Sequence, residues 1–409
     1  MSRGLGSRFW WLWCGSTLAN LADGVYKVAL PLLAVQYTRS PLLIALVSAV
    51  AFLPWLLLAL HVGALLDRWD RRRIMVNANV VRFLATLAFV VLVVTGRDSL
   101  LALLIVVAVV GVAEVFFDSG AQSTLPDLVD RDDLGRANGR LFGAREVAES
   151  FAGRAVGGVL VAVSVALAFA TPAVLYAGAA GVLLALRGRF RAERPSNGSM
   201  TRDIADGVRY LWRHRLLRTL ALATGVMNLS QSAVMSVFVL FAVGPDSAMG
   251  LPEYAYGWLL TATAAGSALA SLLVDPLQRL VGRVRLLVVT VALSGGFGWV
   301  LVATASVWIV APAFVLLGIG IMLWNVVVVT LRQRVIPDHL LGRVNSCYRM
   351  LAWGLMPVGA LLGGVVAEVA GLRGLFALCG ALSLSLLMCF RVVTEREIAR
   401  AEDVGPASP

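Results

Sequence analysis

Long apolar stretches separated by short polar breaks run along almost the whole chain. Each stretch has at least the ~20 residues that an α-helix needs to cross the hydrocarbon core of a bilayer. The pattern therefore predicts an all-α membrane protein with twelve transmembrane helices. The predicted spans are residues 10–36, 42–66, 74–95, 99–124, 137–167, 171–190, 214–243, 254–281, 285–304, 307–331, 344–370 and 373–393.

One polar break is much longer than the others and separates the spans into two sets of six. Within it, the segment from Asp203 to Arg218 has the charged and apolar spacing of a short amphipathic helix lying on a membrane surface. The chain therefore divides into four predicted regions. These are an N-terminal six-helix bundle (1–190), a cytoplasmic linker with the amphipathic helix (191–213), a C-terminal six-helix bundle (214–393) and a cytoplasmic tail (394–409).

Two polar breaks, one in each set of six, have nearly the same sequence. The segments Leu125–Asn138 and Ile336–Asn345 both read Pro-Asp and then Leu-Gly-Arg-x-Asn, and the two asparagines are 207 residues apart. The glycine pair at 157–158 recurs at 363–364, an offset of 206 residues. Matching landmarks at one offset predict that the two six-helix halves are pseudo-symmetric repeats.

Composition supports a membrane protein and argues against several other classes. The chain is 59% hydrophobic and 14% charged, with a mean hydropathy of +0.84. Its net charge of +11 does not indicate nucleic-acid binding, because the basic residues lie between apolar stretches. The sequence lacks a Gly-x-x-x-x-Gly-Lys nucleotide loop, a nucleophile-base constellation and metal-ligand spacing of its cysteines. We therefore expect no enzymatic activity, no cofactor, no metal and no direct use of ATP.

The distribution of arginine predicts the orientation in the membrane. With a cytoplasmic N-terminus, the breaks on the inside carry most of the arginines, and those on the outside carry only Arg39, Arg97 and Arg373. Loops rich in arginine stay on the cytoplasmic side of a bilayer. We predict a multi-pass protein of the inner (plasma) membrane with both termini in the cytoplasm.

The break between the second and third spans combines a glycine, an acid and several arginines. It reads Gly-xxx-Asp-Arg-x-x-Arg-Arg-Arg, from which we single out Gly63, Asp67, Arg68, Arg71 and Arg72. This pattern resembles the loop between helices 2 and 3 of the major facilitator superfamily of transporters. The resemblance implies two six-helix bundles that work by alternating access. We expect the loop to act as a cytoplasmic gate that docks on the second half of the protein.

Further motifs narrow the resemblance to one branch of the superfamily. The segments Ala29-Leu-Pro-Leu-Leu-Ala and Ser40-Pro41, together with the repeated loops, resemble bacterial enterobactin exporters and macrolide-efflux proteins. That branch implies proton-coupled export. In the fifth span, Gly153-Arg154-Ala-Val-Gly157-Gly158 resembles the antiporter pattern Gly-Pro-x-x-Gly-Gly, with Arg154 at the position of the proline.

Small residues in the fifth and eleventh spans predict close helix approaches, because a missing side chain lets two helices come together. The predicted packing glycines are Gly153, Gly157, Gly158, Gly363 and Gly364.

Ionisable residues inside apolar spans are costly to insert and are expected to face a cavity or the bundle interior. Asp23 and Lys27 are four residues apart in the first span and are predicted to pair. Glu114 and Asp118 have the same spacing in the fourth span, where like charges favour one protonated carboxyl. In the superfamily these two helices line the central cavity. The resemblance therefore implies that the four residues meet there.

We assign proton coupling to Glu114 as the main carrier, with Asp23 and Asp118 as further candidates. Asp118 fits a structural pair with a loop arginine equally well. In the fifth span, Glu149 is predicted to pair with Arg145 in a structural network.

Polar and aromatic side chains in other spans are candidates for contact with substrate. Together with Asp23 and Lys27, the predicted substrate cavity contains Asn228, Gln231, Trp324 and Asn325. Each of the last four also fits helix packing, since polar side chains often join neighbouring membrane helices.

These observations predict a monomeric secondary transporter that exports a lipophilic or amphiphilic small molecule, such as a drug, antibiotic or siderophore, by proton antiport. Its expected partners are the substrate, protons and the lipid bilayer, without nucleic acid. Two alternatives stay open. One is an importer or lipid transporter on the same fold, and the other is a membrane sensor or scaffold that does not transport.

The orientation can be tested with paired fusions to alkaline phosphatase, active only outside the cytoplasm, and to a fluorescent protein that folds only inside. Fusions after Ala192 and Arg400 should fluoresce, because arginine-rich segments stay inside. A fusion after Asp246 should instead have phosphatase activity. Phosphatase activity after Ala192 would contradict the predicted topology.

Overall fold

A computed structural model describes residues 5–66, 69–130, 133–188, 190, 200–391 and 393–397. Over this part of the chain the protein is nearly all helical. An isolated bridge between Val243 and Leu251 occurs there, but no β-sheet. The predicted all-α fold class is therefore confirmed.

The helices follow one another with short connections. In chain order they are α1 (Ser7–Tyr37), α2 (Pro41–Leu66), α3 (Arg71–Val94), α4 (Leu100–Thr124), α5 (Leu134–Arg145), α6 (Arg154–Val163), α7 (Val165–Leu184), α8 (Met200–Arg213), α9 (Arg215–Ala242), α10 (Glu253–Val281), α11 (Arg283–Ala303), α12 (Val307–Val335) and α13 (Asp338–Ser385). A π-helical segment, Glu146–Gly153, joins α5 to α6, and short 3₁₀ turns cover Leu125–Asp127 and Leu386–Arg391.

In the described ranges, ten segments are long and apolar enough to cross a membrane. One of them, Gly342–Phe390, contains the eleventh predicted span and most of the twelfth. Its backbone leaves helical geometry at Gly371, where φ is +74°, a region that favours glycine. The predicted boundary between the eleventh and twelfth spans therefore coincides with Gly371. The count of twelve remains a prediction.

The predicted fifth span, residues 137–167, is not one regular helix. It is divided into α5, the π-helical segment and α6, and it ends at Ser164, whose backbone is extended. The sixth predicted span begins correspondingly earlier, at Val165 instead of residue 171. Apolar sequence continues across Ser164, so the hydrophobic pattern alone misplaced this boundary.

Side chains at polar breaks define where two of the helices begin. Asp70 accepts a hydrogen bond from the backbone N–H of Arg73 at 3.2 Å, and Ser99 accepts one from Ala102 at 3.2 Å. Each bond satisfies a backbone donor of the first turn that has no partner within the helix. Short loops can therefore end one helix and start the next.

The chain forms two compact units. The first contains Met1–Arg39, Val50–Ser196 and Val243–Thr261, and the second contains Ser40–Ala49, Asn197–Ala242 and Ala262–Pro409. In the first unit, α1 packs on α7 and on the segment from α5 to α6, while α3 packs on α4 and α7. In the second unit, α9 packs along α13, and α11 packs on α12 and α13.

The predicted packing glycines lie at close helix crossings. A Cβ atom at Gly157 would lie 2.8 Å from the carbonyl oxygen of Val25 in α1, and one at Gly363 would lie 2.6 Å from that of Ala233 in α9. Real Cβ atoms do not come so near to backbone atoms, so any larger residue would push these helices apart. Similar crossings involve Gly158 with Gly257, Gly364 with Ala45, and Gly153 with Gly24.

Candidate functional site

Lys27 of α1 pairs with two carboxylates inside the first unit. Its Nζ lies 3.0 Å from Glu114 Oε1 in α4 and 2.7 Å from Glu149 Oε1 in the π-helical segment. The predicted pairing of Lys27 with Asp23 is therefore wrong. The two residues share a face of α1, but the long lysine side chain reaches two neighbouring elements, whereas Asp23 contacts α3 and α7.

Arg145 extends this pairing to a third carboxylate. Its Nε lies 2.9 Å from Glu149 Oε2, which confirms the pair expected one turn apart, and its Nη1 lies 2.9 Å from Asp118 Oδ2. The five residues form a continuous series in which each cation joins two acids. We call this series the ion-pair chain, in the order Glu114, Lys27, Glu149, Arg145 and Asp118.

A crossing of two glycines brings the π-helical segment next to Lys27. A Cβ atom at Gly24 would lie 2.3 Å from the carbonyl oxygen of Glu149, and one at Gly153 would lie 2.7 Å from the Cα atom of Gly24. Segments of π-helix are rare and occur often at functional sites. Here the irregular helix directly precedes Arg154, the residue that stands at the proline position of the antiporter pattern.

Asp23 belongs to a second, fully buried pair. Tyr176 of α7 donates a hydrogen bond to Asp23 Oδ1 at 2.6 Å, and Nη1 of Arg82 in α3 lies 3.6 Å from Asp23 Oδ2. The Arg82 guanidinium lies between the rings of Phe117 and Tyr176, 5.2 Å from each centroid. Within the described structure its three nitrogens make no hydrogen bond. Aromatic faces and one carboxylate thus compensate the burial of this cation.

The sequence analysis missed Arg82 and Tyr176. Arg82 is the one charged residue between 74 and 95, so the rule that selected Asp23 and Glu114 should also have selected it. Tyr176 gave no such signal, because tyrosine is common in membrane helices. Its role depends on the packing of α7 against α1.

The seven ionisable groups include more acids than cations. The ion-pair chain has three carboxyl groups and two cations, whereas the Asp23–Arg82 pair has one of each. With every group ionised, the five paired groups alone would carry one excess negative charge, which Arg154 partly offsets through its longer-range attraction to Glu149. An excess charge that is only partly compensated away from water is disfavoured.

Burial differs among the members of the ion-pair chain. The side chains of Glu114, Asp118 and Glu149 are 10%, 6% and 12% exposed. Lys27 and Arg145 are 41% and 33% exposed. The two cationic side chains are therefore more accessible than the three acids.

Two of the substrate-contact candidates in the second unit, Asn228 and Trp324, form hydrogen bonds between helices. Asn228 donates a hydrogen bond from Nδ2 to the carbonyl oxygen of Ala352 at 2.8 Å, and one turn further along α9 Ser232 does the same to Met356 at 2.7 Å. Gln231 is half-buried on a neighbouring face of α9. Its role in substrate contact remains a prediction.

Trp324 is 4% exposed and donates from Nε1 to the Thr224 hydroxyl at 3.0 Å. That hydroxyl also hydrogen-bonds the Tyr348 hydroxyl. Trp324 therefore joins α12 to α9 in this structure, whereas its neighbour Asn325 is exposed. Substrate contact by either residue remains a prediction.

Arginines of the predicted gating loop attach the start of α3 to the first unit. Nη1 of Arg71 donates to the carbonyl oxygen of Ser123 at 2.7 Å and pairs with Asp127 Oδ2 at 2.9 Å. Nε of Arg72 donates to the carbonyl oxygen of Leu183 at 3.1 Å, near the C-terminal end of α7, where cations are favoured. Gly63 lies in α2, and Asp67 and Arg68 lie outside the described residues. The gating role remains a prediction.

A cavity of about 1000 Å³ lies between α3 and α4 of the first unit. Its lining extends from Trp69 and Arg73 to Val109 and Phe116 and includes none of the seven ionisable residues above. It is therefore separate from the ion-pair chain.

Comparison with known proteins identifies relatives over nearly the full length. A family model described as transmembrane secretion effector matches residues 6–406. The multidrug efflux pump Tap of Mycolicibacterium fortuitum is 27% identical over 90% of this chain and 91% of the pump. Macrolide efflux protein A of Streptococcus pyogenes is 21% identical over 94% of this chain and 95% of that protein.

A solved structure supports the fold. The nucleoside transporter NupG superimposes with a TM-score of 0.75 at 12% identity, covering 95% of this chain and 99% of the transporter. At this identity the similarity concerns the fold alone.

The Asp23–Arg82 pair can be tested with a double-mutant cycle. Arg82→Gln should lower the thermal stability of the purified protein, because loss of one member of a buried pair costs on the order of 3 kcal/mol. Adding Asp23→Asn should recover part of this loss, since no uncompensated charge remains. Arg97→Gln, at an exposed arginine, is the matched control. If the two single losses simply add in the double variant, the pair is not coupled.

Proposed function

The chain belongs to the transmembrane secretion effector family of the major facilitator superfamily, and we propose that it exports a lipophilic or amphiphilic small molecule in exchange for protons. It is a multi-pass membrane protein and a transporter, not an enzyme. Two relatives that align along almost the whole chain are named multidrug efflux pump Tap and macrolide efflux protein A. Their names support a drug, an antibiotic or another amphiphile of this kind as the substrate.

The charge imbalance of the ion-pair chain supports proton coupling most directly. Three carboxyl groups share two cations among helices that are predicted to cross the membrane. A single proton removes the excess negative charge, and its release restores it. Protonation of Glu114 or Asp118 replaces one terminal ion pair by a hydrogen bond and leaves the two pairs of Glu149 in place.

The local partners indicate which carboxyls hold this proton. Glu149 contacts both cations and is the best stabilised in its ionised form. Glu114 and Asp118 each share one cation with Glu149, and they are four residues apart on α4. Mutual repulsion across one helical turn favours a proton on one of them. We assign the exchanged proton to the Glu114–Asp118 pair.

This assignment corrects one step of the sequence argument. The sequence favours Glu114 as the proton carrier because Asp23 is expected to take Lys27 as its partner, which leaves Glu114 with the weaker cationic support, but Lys27 lies 3.0 Å from Glu114. We instead assign the proton to Glu114 because it shares the Lys27 ammonium with Glu149, so its ionised form is less well stabilised than that of Glu149. Asp23, which has Arg82 and Tyr176 as its own partners, becomes the secondary candidate.

Antiport requires that substrate and proton disfavour each other at the site. A cationic or hydrogen-bond-donating group beside Glu114 stabilises its ionised form and so promotes release of the proton. The exposed alkyl stem of Lys27 offers apolar contact in the same place. Coupling should therefore be strongest for amphiphiles that carry a positive charge.

Glu114→Gln should abolish transport driven by a proton gradient, because the amide cannot exchange the proton. In proteoliposomes, net transport of a fluorescent lipophilic cation should fall at least about tenfold, the effect of losing 1.4 kcal/mol of coupling. Exchange of the dye across the membrane without a gradient should persist. Asp118→Asn should also make the transport rate depend less on pH, because it removes the other carboxyl group of the pair.

Glu146→Gln is the matched control, because this exposed acid in the same helical segment lies outside the ion-pair chain. It should transport as the unmodified protein does. Gradient-driven transport by Glu114→Gln at the unmodified rate would contradict the assignment. The direction of net dye movement distinguishes an exporter from an importer, and its absence in the unmodified protein would favour a sensor or scaffold.

A further inference from the structure

A second cavity lies in the second unit, beside the amphipathic helix α8. It has a volume of about 460 Å³ and is lined by Arg209, Tyr210, Arg213, His214 and Leu340. The two arginines are four residues apart and therefore project from the same face of α8. Among the described residues, the lining includes two guanidinium groups, a phenol and an imidazole, all of which can donate hydrogen bonds.

One side of α8 is held firmly against the protein. A Cβ atom at Gly207 would lie 2.8 Å from the carbonyl oxygen of Arg343, and Leu211 is 3% exposed. Tyr210 donates from its hydroxyl to the carbonyl oxygen of Val335 at 3.3 Å. The helix is thus a fixed part of the second unit, and the cavity beside it has a defined wall.

The wall is further ordered by His214, at the junction of α8 and α9. Its ring stacks on Tyr210 with centroids 6.2 Å apart, and its Nδ1 accepts a hydrogen bond from the backbone N–H of Leu217 at 3.5 Å. Burial lowers the pKa of His214, which keeps the ring neutral near neutral pH. The positive charge of the cavity therefore comes from the arginines.

Away from this attached side, α8 presents an apolar strip beside its two arginines. Val208 is 39% exposed and Trp212 is 51% exposed, and they are one helical turn apart, next to the arginines. Exposed tryptophan beside arginine on an amphipathic helix is typical of segments that lie at a membrane interface. A free anion has no use for these apolar groups, whereas a lipid contacts both kinds of side chain.

We propose that this cavity binds the phosphate headgroup of an anionic phospholipid, with Arg209 and Arg213 contacting the phosphate and Val208 and Trp212 contacting the apolar part of the lipid. Arginine binds phosphate with paired N–H donors, and each basic residue near an anionic membrane adds to the attraction. The site would attach α8 to the leaflet that it faces. This inference does not depend on which molecule the protein transports.

Native mass spectrometry of the full-length protein, released from vesicles of equal parts phosphatidylcholine and phosphatidylglycerol, tests the proposal. The unmodified protein should retain phosphatidylglycerol. The double variant Arg209→Gln/Arg213→Gln should bind it about 30-fold more weakly, as expected for two basic residues near an anionic surface. Arg209→Lys/Arg213→Lys keeps the charge and should retain more lipid than the glutamine variant.

The control is Arg215→Gln/Arg279→Gln, which removes the same charge from two exposed arginines that do not line the cavity. It should retain phosphatidylglycerol as the unmodified protein does. Equal lipid loss in both glutamine variants, or no loss in either, would overturn the proposal. So would displacement of the lipid by millimolar inorganic phosphate added alone, because the cavity would then be a site for a free anion.

Discussion

Ionisable groups buried among membrane-spanning helices have to stabilise one another, because the surrounding hydrocarbon offers them neither water nor counterions. In the first unit, the ion pairs of Lys27 and Arg145 connect α1 and α4 to the segment from α5 to α6. The contacts of Asp23 connect α1 to α3 and α7. If any one of these helices shifted, an acid and its cation would be separated, and each would then be buried without a partner of opposite charge. The same interactions therefore hold the packing together and provide the groups that a proton can titrate.

The ion pairs in turn depend on a feature without charge, the contact of α1 with the π-helical segment. Gly24 and Gly153 let the two backbones come so close that a Cβ atom at Gly24 would lie 2.3 Å from the carbonyl oxygen of Glu149. A larger residue at either position would move Glu149 away from Lys27 and leave both cations with fewer partners. Arg154, at the proline position of the antiporter pattern that this segment resembles, directly follows this π-helical irregularity.

Properties that depend on local sequence were predictable here. Apolar stretches identified most of the spans, and the four-residue spacing identified the Arg145–Glu149 pair, since both depend on neighbours along one helix. The partner of Lys27 was not predictable in this way, because it is decided by which helices pack against α1. The π-helical segment and the break at Ser164 also lack a distinct hydrophobic signal. Arg82 could have been found from its place in an apolar span, but its aromatic surroundings depend on tertiary packing.

Measuring proton release on ligand binding would show whether the ion-pair chain holds one exchangeable proton. The purified protein in weakly buffered detergent solution would be mixed with tetraphenylphosphonium, a lipophilic cation, while a pH-sensitive dye records released protons. About one proton should be released for each cation bound, because a cation beside Glu114 favours the ionised form of the Glu114–Asp118 pair. The Glu114→Gln/Asp118→Asn variant should bind the cation and release none. Equal release from this variant and from the unmodified protein would contradict the account.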